Sequence, residues 1–155
     1  MIRLALAAAL LTVGATGCQT AGTAATAPSG LAVVPVTIKT QSGKTHRFNV
    51  EVAETQEQQA RGLMFRDSIP AGTGMIFPMN PPRPASFWMK NCPVPQDWLF
   101  IRADGTIARL IENTVPYSLE PQGTSEPVAA VLEIAGGEAA RLGIAEDDKV
   151  VWAAP

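Results

Sequence analysis

The chain has 155 residues, 46% hydrophobic and 17% charged, with 12 basic side chains against 14 acidic ones. That length allows one ordinary domain with its own core, and not two. A net charge of −2 and no basic cluster exclude the electropositive face that nucleic acid or an anionic lipid surface recruits.

The first seventeen residues carry one charge, Arg3, then the apolar run Leu4 to Val13, then Gly14-Ala15-Thr16-Gly17 and Cys18. The run is too short to span a bilayer comfortably. A positive start, a short apolar stretch and small residues at the cut describe a secretory signal peptide over 1–17. The cysteine that follows makes Ala15-Thr16-Gly17-Cys18 resemble a bacterial lipobox, with Ala15 where Leu is usual. Cleavage before Cys18 and its acylation, with palmitate among the chains, is the expectation. An ordinary signal cut near Ala21, leaving a soluble periplasmic protein, is the first alternative, and an uncleaved membrane anchor the second. Several acyl chains give a firm anchor, since each buried methylene adds about 0.8 kcal/mol. Gln19, where Asp resembles an inner-membrane retention signal, points to the periplasmic face of the outer membrane in a Gram-negative host. Residues 18–30 lack charge and large apolar groups and read as a lipid-anchored tether. The domain is then 31–155. Without Arg3 it has eleven basic residues against fourteen acidic ones, a net charge of about −3.

Along the domain, Val34, Val36 and Ile38 alternate with polar residues or proline. After the turn Gln41-Ser42-Gly43-Lys44, so do His46, Phe48, Val50 and Val52. The two runs predict a hairpin with one buried face. Thr55-Gln56-Glu57-Gln58 is a capping box, opening a helix to about Leu63. A loop over 66–74 leads to a short strand, Met75-Ile76-Phe77. Four prolines in Pro78 to Pro84 read as a stiff connection without ladder donors. Ser86 to Met89 and Asp97 to Arg102 read as strands around an irregular turn. Asp104-Gly105 then marks a second hairpin, returning over Thr106 to Glu112. Tyr117 to Pro127 reads as a polar loop and Val128 to Ile134 as a strand apolar on both faces. A short helix over Glu138 to Leu142, ended by Gly143, precedes a last strand, Lys149 to Trp152. The fold class is α+β: a mostly antiparallel, partly barrel-like sheet with two short helices.

Arg61-Gly62-Leu63-Met64-Phe65-Arg66, Gly74-Met75-Ile76-Phe77, Ser86-Phe87-Trp88-Met89-Lys90-Asn91 and Pro95-Gln96-Asp97 follow one another in an order that resembles one exported bacterial and archaeal family. It is the family catalogued as domain of unknown function 192. Val131-Leu132-Glu133-Ile134, Gly136-Gly137 and Leu142-Gly143-Ile144 resemble its closing strand and helix, so the likeness covers about Val36 to Trp152. It implies a small α+β fold with a barrel-like sheet and frequent export, and no established activity. Cys92 stands where the family commonly has Thr, and Gln96 where an apolar residue is usual. A cysteine mechanism is therefore not general to the family.

Among polar residues of these motifs, Arg61, Lys90, Asn91 and Asp97 are the candidate ligand-binding set, beside Cys18 for lipidation. Were the strands ending at Lys90 and starting at Asp97 a hairpin, the two residues would face each other across its mouth, with Asp97 orienting Lys90. Two cations and an amide suit an anionic or carbonyl-bearing ligand. The bland reading pairs Asp97 with Lys90 or Arg61 and lets Asn91 serve the turn. No catalytic set, metal site or cofactor stands out. The expected role is a non-catalytic binding or accessory module for a small anionic ligand or an envelope partner protein, attached to the membrane through Cys18. Alternatives are a hydrolase and a periplasmic copper handler. A hydrolase needs Cys92 with His46 as base, or Ser86 with Lys90, which lie roughly 13 Å apart along a strand. Copper handling would draw on Met64, Met75, Met79, Met89 and Cys92 as soft donors. Such residues more often fill core gaps. Trp88 and Trp98 fit either a stacking platform or the core.

Overall fold

The structure is a computed structural model that describes residues 25–153; the leader, Cys18 and the start of the tether lie outside the described residues. Its elements are β1 (Ala25–Thr26), β2 (Ala32–Lys39), β3 (Thr45–Val52), α1 (Gln56–Arg61), β4 (Thr73–Phe87), β5 (Gln96–Ile101), β6 (Ile107–Ile111), β7 (Gln122–Ala135), α2 (Glu138–Leu142) and β8 (Lys149–Trp152). Ala25 and Thr26, within the segment expected as tether, pair with Val33 and Ala32 of β2.

The sheet runs β1-β2-β3-β4-β7-β5-β6, and β8 pairs β2 over Val36 to Lys39, beyond the residues that β1 pairs. All neighbours are antiparallel except β3 and β4, which α1 connects in parallel. A bridge between Thr106 and Lys149, with backbone bonds from Ile107 to Asp148 and from Val150 to Gly105, brings the two ends of the sheet together. The result is the expected α+β class, with a mixed sheet curled like a partial barrel.

Alternation divides the apolar residues into two cores. Val34, Val36, Ile38, Phe48, Val50, Val52, Ile76, Leu99, Leu132 and Val150 fill the concave side, joined by Ala139 of α2 and by Ile144. Met75, Phe77 and Met79 of β4, Val131 of β7 and Trp98 and Phe100 of β5 point the other way. This convex face is covered by Leu63, Ala85, Met89 and Cys92. Burying each large side chain contributes about 2 kcal/mol, so Leu63 and Met89 tie the covering segments to the sheet.

The capping box forms as the sequence predicts. Thr55 Oγ1 accepts from the Gln58 N–H at 3.2 Å, and Gln58 Oε1 accepts from the Thr55 N–H at 2.9 Å. The helix ends at Arg61, before Leu63, because Gly62 turns the chain at φ 47°. A Cβ at Gly62 would lie 3.3 Å from the Phe77 ring, so glycine also permits the helix end to sit on β4.

Three further expectations fail. The proline run is not a connection but the middle of β4, tolerated because the β4–β7 register shifts between Pro78 and Arg83 and again before Ala85. Proline needs no ladder donor at such irregularities. Residues 122–127, expected as loop, are the first part of β7, where Gln122, Gly123 and Thr124 pair with Phe87, Ser86 and Ala85. Lastly, β4 and β5 do not form a hairpin: β7 lies between them.

Candidate functional site

That last correction separates the expected site. Asp97 is fully buried, opposite Ile134 of β7. Its Oδ1 accepts from the N–H groups of Asn113 at 2.8 Å and Gly137 at 2.9 Å, and its Oδ2 from Ala139 at 2.9 Å. Asp97 thus caps the start of α2, whose own N-cap residue, Gly137, has no side chain to offer. Lys90 is exposed, with Nζ 5.1 Å from the centre of the Trp88 ring. Asn91 holds its turn: its carbonyl accepts from the Phe65 N–H at 2.7 Å. Asp97 does not orient Lys90, and the four residues form no common site.

Arg61 does line a cleft. It opens on the convex face between α1, the Leu63–Met64 turn, and Arg83 to Trp88 at and just past the end of β4, with a volume of about 340 Å³. Two cations, Arg61 and Arg83, lie at its rim, and both are exposed. Phe77, Phe87 and Met79 supply apolar wall. Phe87 is fixed by Phe77, Trp98 and Phe100, whose ring centres lie 5.1, 6.0 and 6.2 Å from its own. Gln59 pins the helix over the cleft by donating to the carbonyls of Ala53 and Pro78, both at 3.0 Å.

Glu133 also lines this cleft and is the residue that the sequence reading missed. It stands on β7 between Met75 of β4 and Trp98 of β5, in the row of side chains facing the second core. Only 4% of its surface is exposed. Burial pushes its carboxyl up to about 8, and no hydrogen bond offsets the desolvation. At neutral pH it is therefore mainly a neutral acid, able to donate a hydrogen bond. The available signal was a single carboxylate in the otherwise apolar run Val128 to Ile134, since an unpaired buried Glu is rare.

The polar groups beside Glu133 belong to the same buried layer. Trp98 Nε1 donates to Gln96 Oε1 at 2.8 Å, while Gln96 Nε2 is buried without a hydrogen-bond partner among the described residues. Thr114 Oγ1 accepts from the Gln96 N–H at 2.9 Å. The Cys92 thiol, 5% exposed, is pushed up to about 11 by burial and by the nearby Glu133, so it stays protonated.

The hydrolase pairs do not assemble. Cys92 packs in the second core. His46 lies opposite Ile38 at the start of β3, on the face that fills the concave core. Ser86 lines the cleft, but Lys90 does not. Met64, Met75, Met79, Met89 and Cys92 all pack in or against the second core, as gap-filling methionines do. Trp98 is core and Trp88 is 46% exposed. Arg66 is held by Glu51 in a two-pronged pair of 2.5 and 2.7 Å.

Comparison with known proteins agrees with this fold. The family model described as Uncharacterized ACR, domain of unknown function 192, matches residues 37–152. The chain belongs to that family. A crystal structure of a protein of unknown function from Novosphingobium aromaticivorans is 45% identical, with a TM-score of 0.80, covering 90% of this chain and 100% of that one. A protein from Sinorhizobium meliloti, described as a proposed transcription regulator, is 41% identical, with a TM-score of 0.77, covering 79% of this chain and 95% of that one. No curated protein matches.

Proposed function

We propose that this member of the domain of unknown function 192 family is a lipid-anchored envelope protein whose convex-face cleft binds a small amphipathic acid. The reading is carried by Glu133, a carboxyl only 4% exposed at an open cleft and without a hydrogen-bond partner among the described residues. A buried polar group in that state costs stability unless something joins it. A ligand oxygen accepting from the protonated carboxyl would supply the missing bond. The aromatic wall of Phe77 and Phe87 suits an apolar body, and Arg61 with Arg83 suits an anionic end. This keeps the anionic ligand class expected from the sequence and replaces Lys90, Asn91 and Asp97 by Arg83 and Glu133 as its partners. The description carried by the Sinorhizobium protein is a weaker guide, because a domain of net charge near −3 has no excess of basic residues to attract DNA.

The test uses calorimetry and thermal shift with a series of small carboxylates (hexanoate, benzoate, phenylacetate). Binding is expected at pH 6.5 and weakens above about pH 8 as Glu133 ionises. Glu133→Gln, which stays neutral, is expected to bind without that loss at high pH. Arg61→Ala and Arg83→Ala should each weaken binding by about tenfold, the scale of one charge-assisted hydrogen bond, while Lys90→Ala leaves it unchanged. No response to any carboxylate, or equal binding by the arginine variants, would rule the reading out. The anchor is tested by the mass of the mature N-terminus, which should show an acylated Cys18.

A further inference from the structure

Five large apolar residues, Phe65, Val115, Tyr117, Leu119 and Trp88, are exposed by 68, 65, 62, 63 and 46%. They lie on three loops that are tied to one another. The Phe65 N–H donates to the Asn91 carbonyl at 2.7 Å, Tyr117 to Cys92 at 3.1 Å, and Met89 to Ser118 at 2.9 Å. Phe65 and Tyr117 also hold φ of 63° and 60°, a region that bulky residues avoid. Two exposed aromatic side chains on unfavourable backbone find no reward in the domain's own packing. Held rigidly together, the five residues have the composition of a docking surface.

The position of the tether indicates the occupant. Pro28, Ser29 and Leu31 line a groove together with Met64 and Phe65, so the N-terminal segment enters the fold beside this loop cluster. Cys18 precedes Ala25 by seven residues, which reach at most about 25 Å when stretched. An acylated Cys18 would hold the cluster close to a bilayer. Trp and Tyr favour the boundary between headgroups and hydrocarbon. Lys90, over the Trp88 ring, can extend its ammonium toward water or phosphate while its stem stays apolar. We infer that the Phe65–Trp88–Tyr117–Leu119 surface docks on the bilayer that carries the anchor, through apolar contact and without selecting anionic lipid. This rests on the lipid-anchor reading.

The test uses the full-length protein purified from membranes, with its N-terminal mass recorded. It is reconstituted in phosphatidylcholine vesicles bearing bromine at shallow or deep acyl positions, with and without phosphatidylglycerol. The emission of Trp88 is read as the difference between wild type and Trp88→Phe. Docking predicts quenching of Trp88, strongest with shallow bromine and equal in both lipid mixtures. It also predicts loss of quenching in the double variant Phe65→Asn, Leu119→Ser. Asn tolerates the left-handed backbone at 65, and circular dichroism verifies the fold. An acylated terminus with Trp88 unquenched overturns docking and leaves the anchor standing. Quenching that needs phosphatidylglycerol overturns the apolar mode. If the terminus is unmodified, the anchor reading fails on its own, and vesicle flotation decides docking. Flotation that the double variant abolishes sustains it, and absence of flotation overturns it.

Discussion

Glu133 and Asp97 are both buried carboxylates, and their surroundings assign them opposite work. Asp97 accepts three backbone N–H bonds, whereas Glu133 has burial alone acting on it. Sequence cannot separate the two cases, because the partners of Asp97 lie 16, 40 and 42 residues away. Asp97→Ala should therefore lower stability by about 3 kcal/mol, since three donors lose their acceptor. Urea denaturation would measure this as a lower midpoint with an unchanged slope. Glu133 should make stability depend on pH in an unusual direction for a carboxylate. Its folded value of about 8 lies above the ordinary Glu range, so between about pH 4.5 and 8 the native state holds a proton that the unfolded chain has released. Stability is thus highest below that window and declines as pH rises through it, by on the order of 5 kcal/mol. Glu133→Gln should flatten this decline in denaturation profiles recorded from pH 4.5 to 8.5. An unaltered profile would mean that the carboxyl is not held neutral.

Elements built on local chemistry were legible: the β2–β3 hairpin from alternation, α1 from its capping box, the β5–β6 turn from Asp104-Gly105, and α2 between its glycines. Elements decided by distant partners were not. Nothing local reveals that Pro78 to Pro84 continues β4, because the register shifts that accommodate the prolines belong to the pairing with β7. For the same reason the placement of β7 between β4 and β5 was invisible, and with it the failure of the expected Lys90–Asp97 mouth. The β4–β7 contact also explains Gly74. A Cβ there would run into the carbonyl of Glu133, so this glycine permits close approach of the strands rather than a turn. Gly74→Ala is expected to cost about 1–3 kcal/mol through overpacking and to displace the strand that carries Glu133. A lower Tm together with weakened carboxylate binding would check both effects. Thr55→Ala removes only the cap of α1 and should cost about 1 kcal/mol, measured by the same melting experiment.

At the scale of the whole molecule, the curled sheet leaves its convex face to be covered by segments rather than by a second sheet, and the gap among those segments is the cleft. The concave core, closed by β8 and α2, does not depend on what occupies that gap. On the lipid-anchor reading the anchor is a separate device, because Cys18 precedes β1, the first described strand (Ala25–Thr26). Two consequences act in the same direction for a Cys18→Ser variant. Loss of the acyl chains removes most of the membrane affinity, since each buried methylene contributes about 0.8 kcal/mol. The domain that remains has a net charge near −3, and repulsion between like-charged copies favours solubility. Cys18→Ser should therefore shift the protein from the membrane pellet to the soluble fraction while its melting temperature stays within a degree or two of the wild type, as expected for a change outside the cores. Fractionation followed by calorimetry of the soluble form measures both. A variant that stays in the pellet after a high-salt wash, with a terminal mass showing the leader removed, shows that the apolar loop surface alone suffices to hold the membrane. A variant that melts well below the wild type shows that the segment before Ala25 supports the fold as well as tethering it.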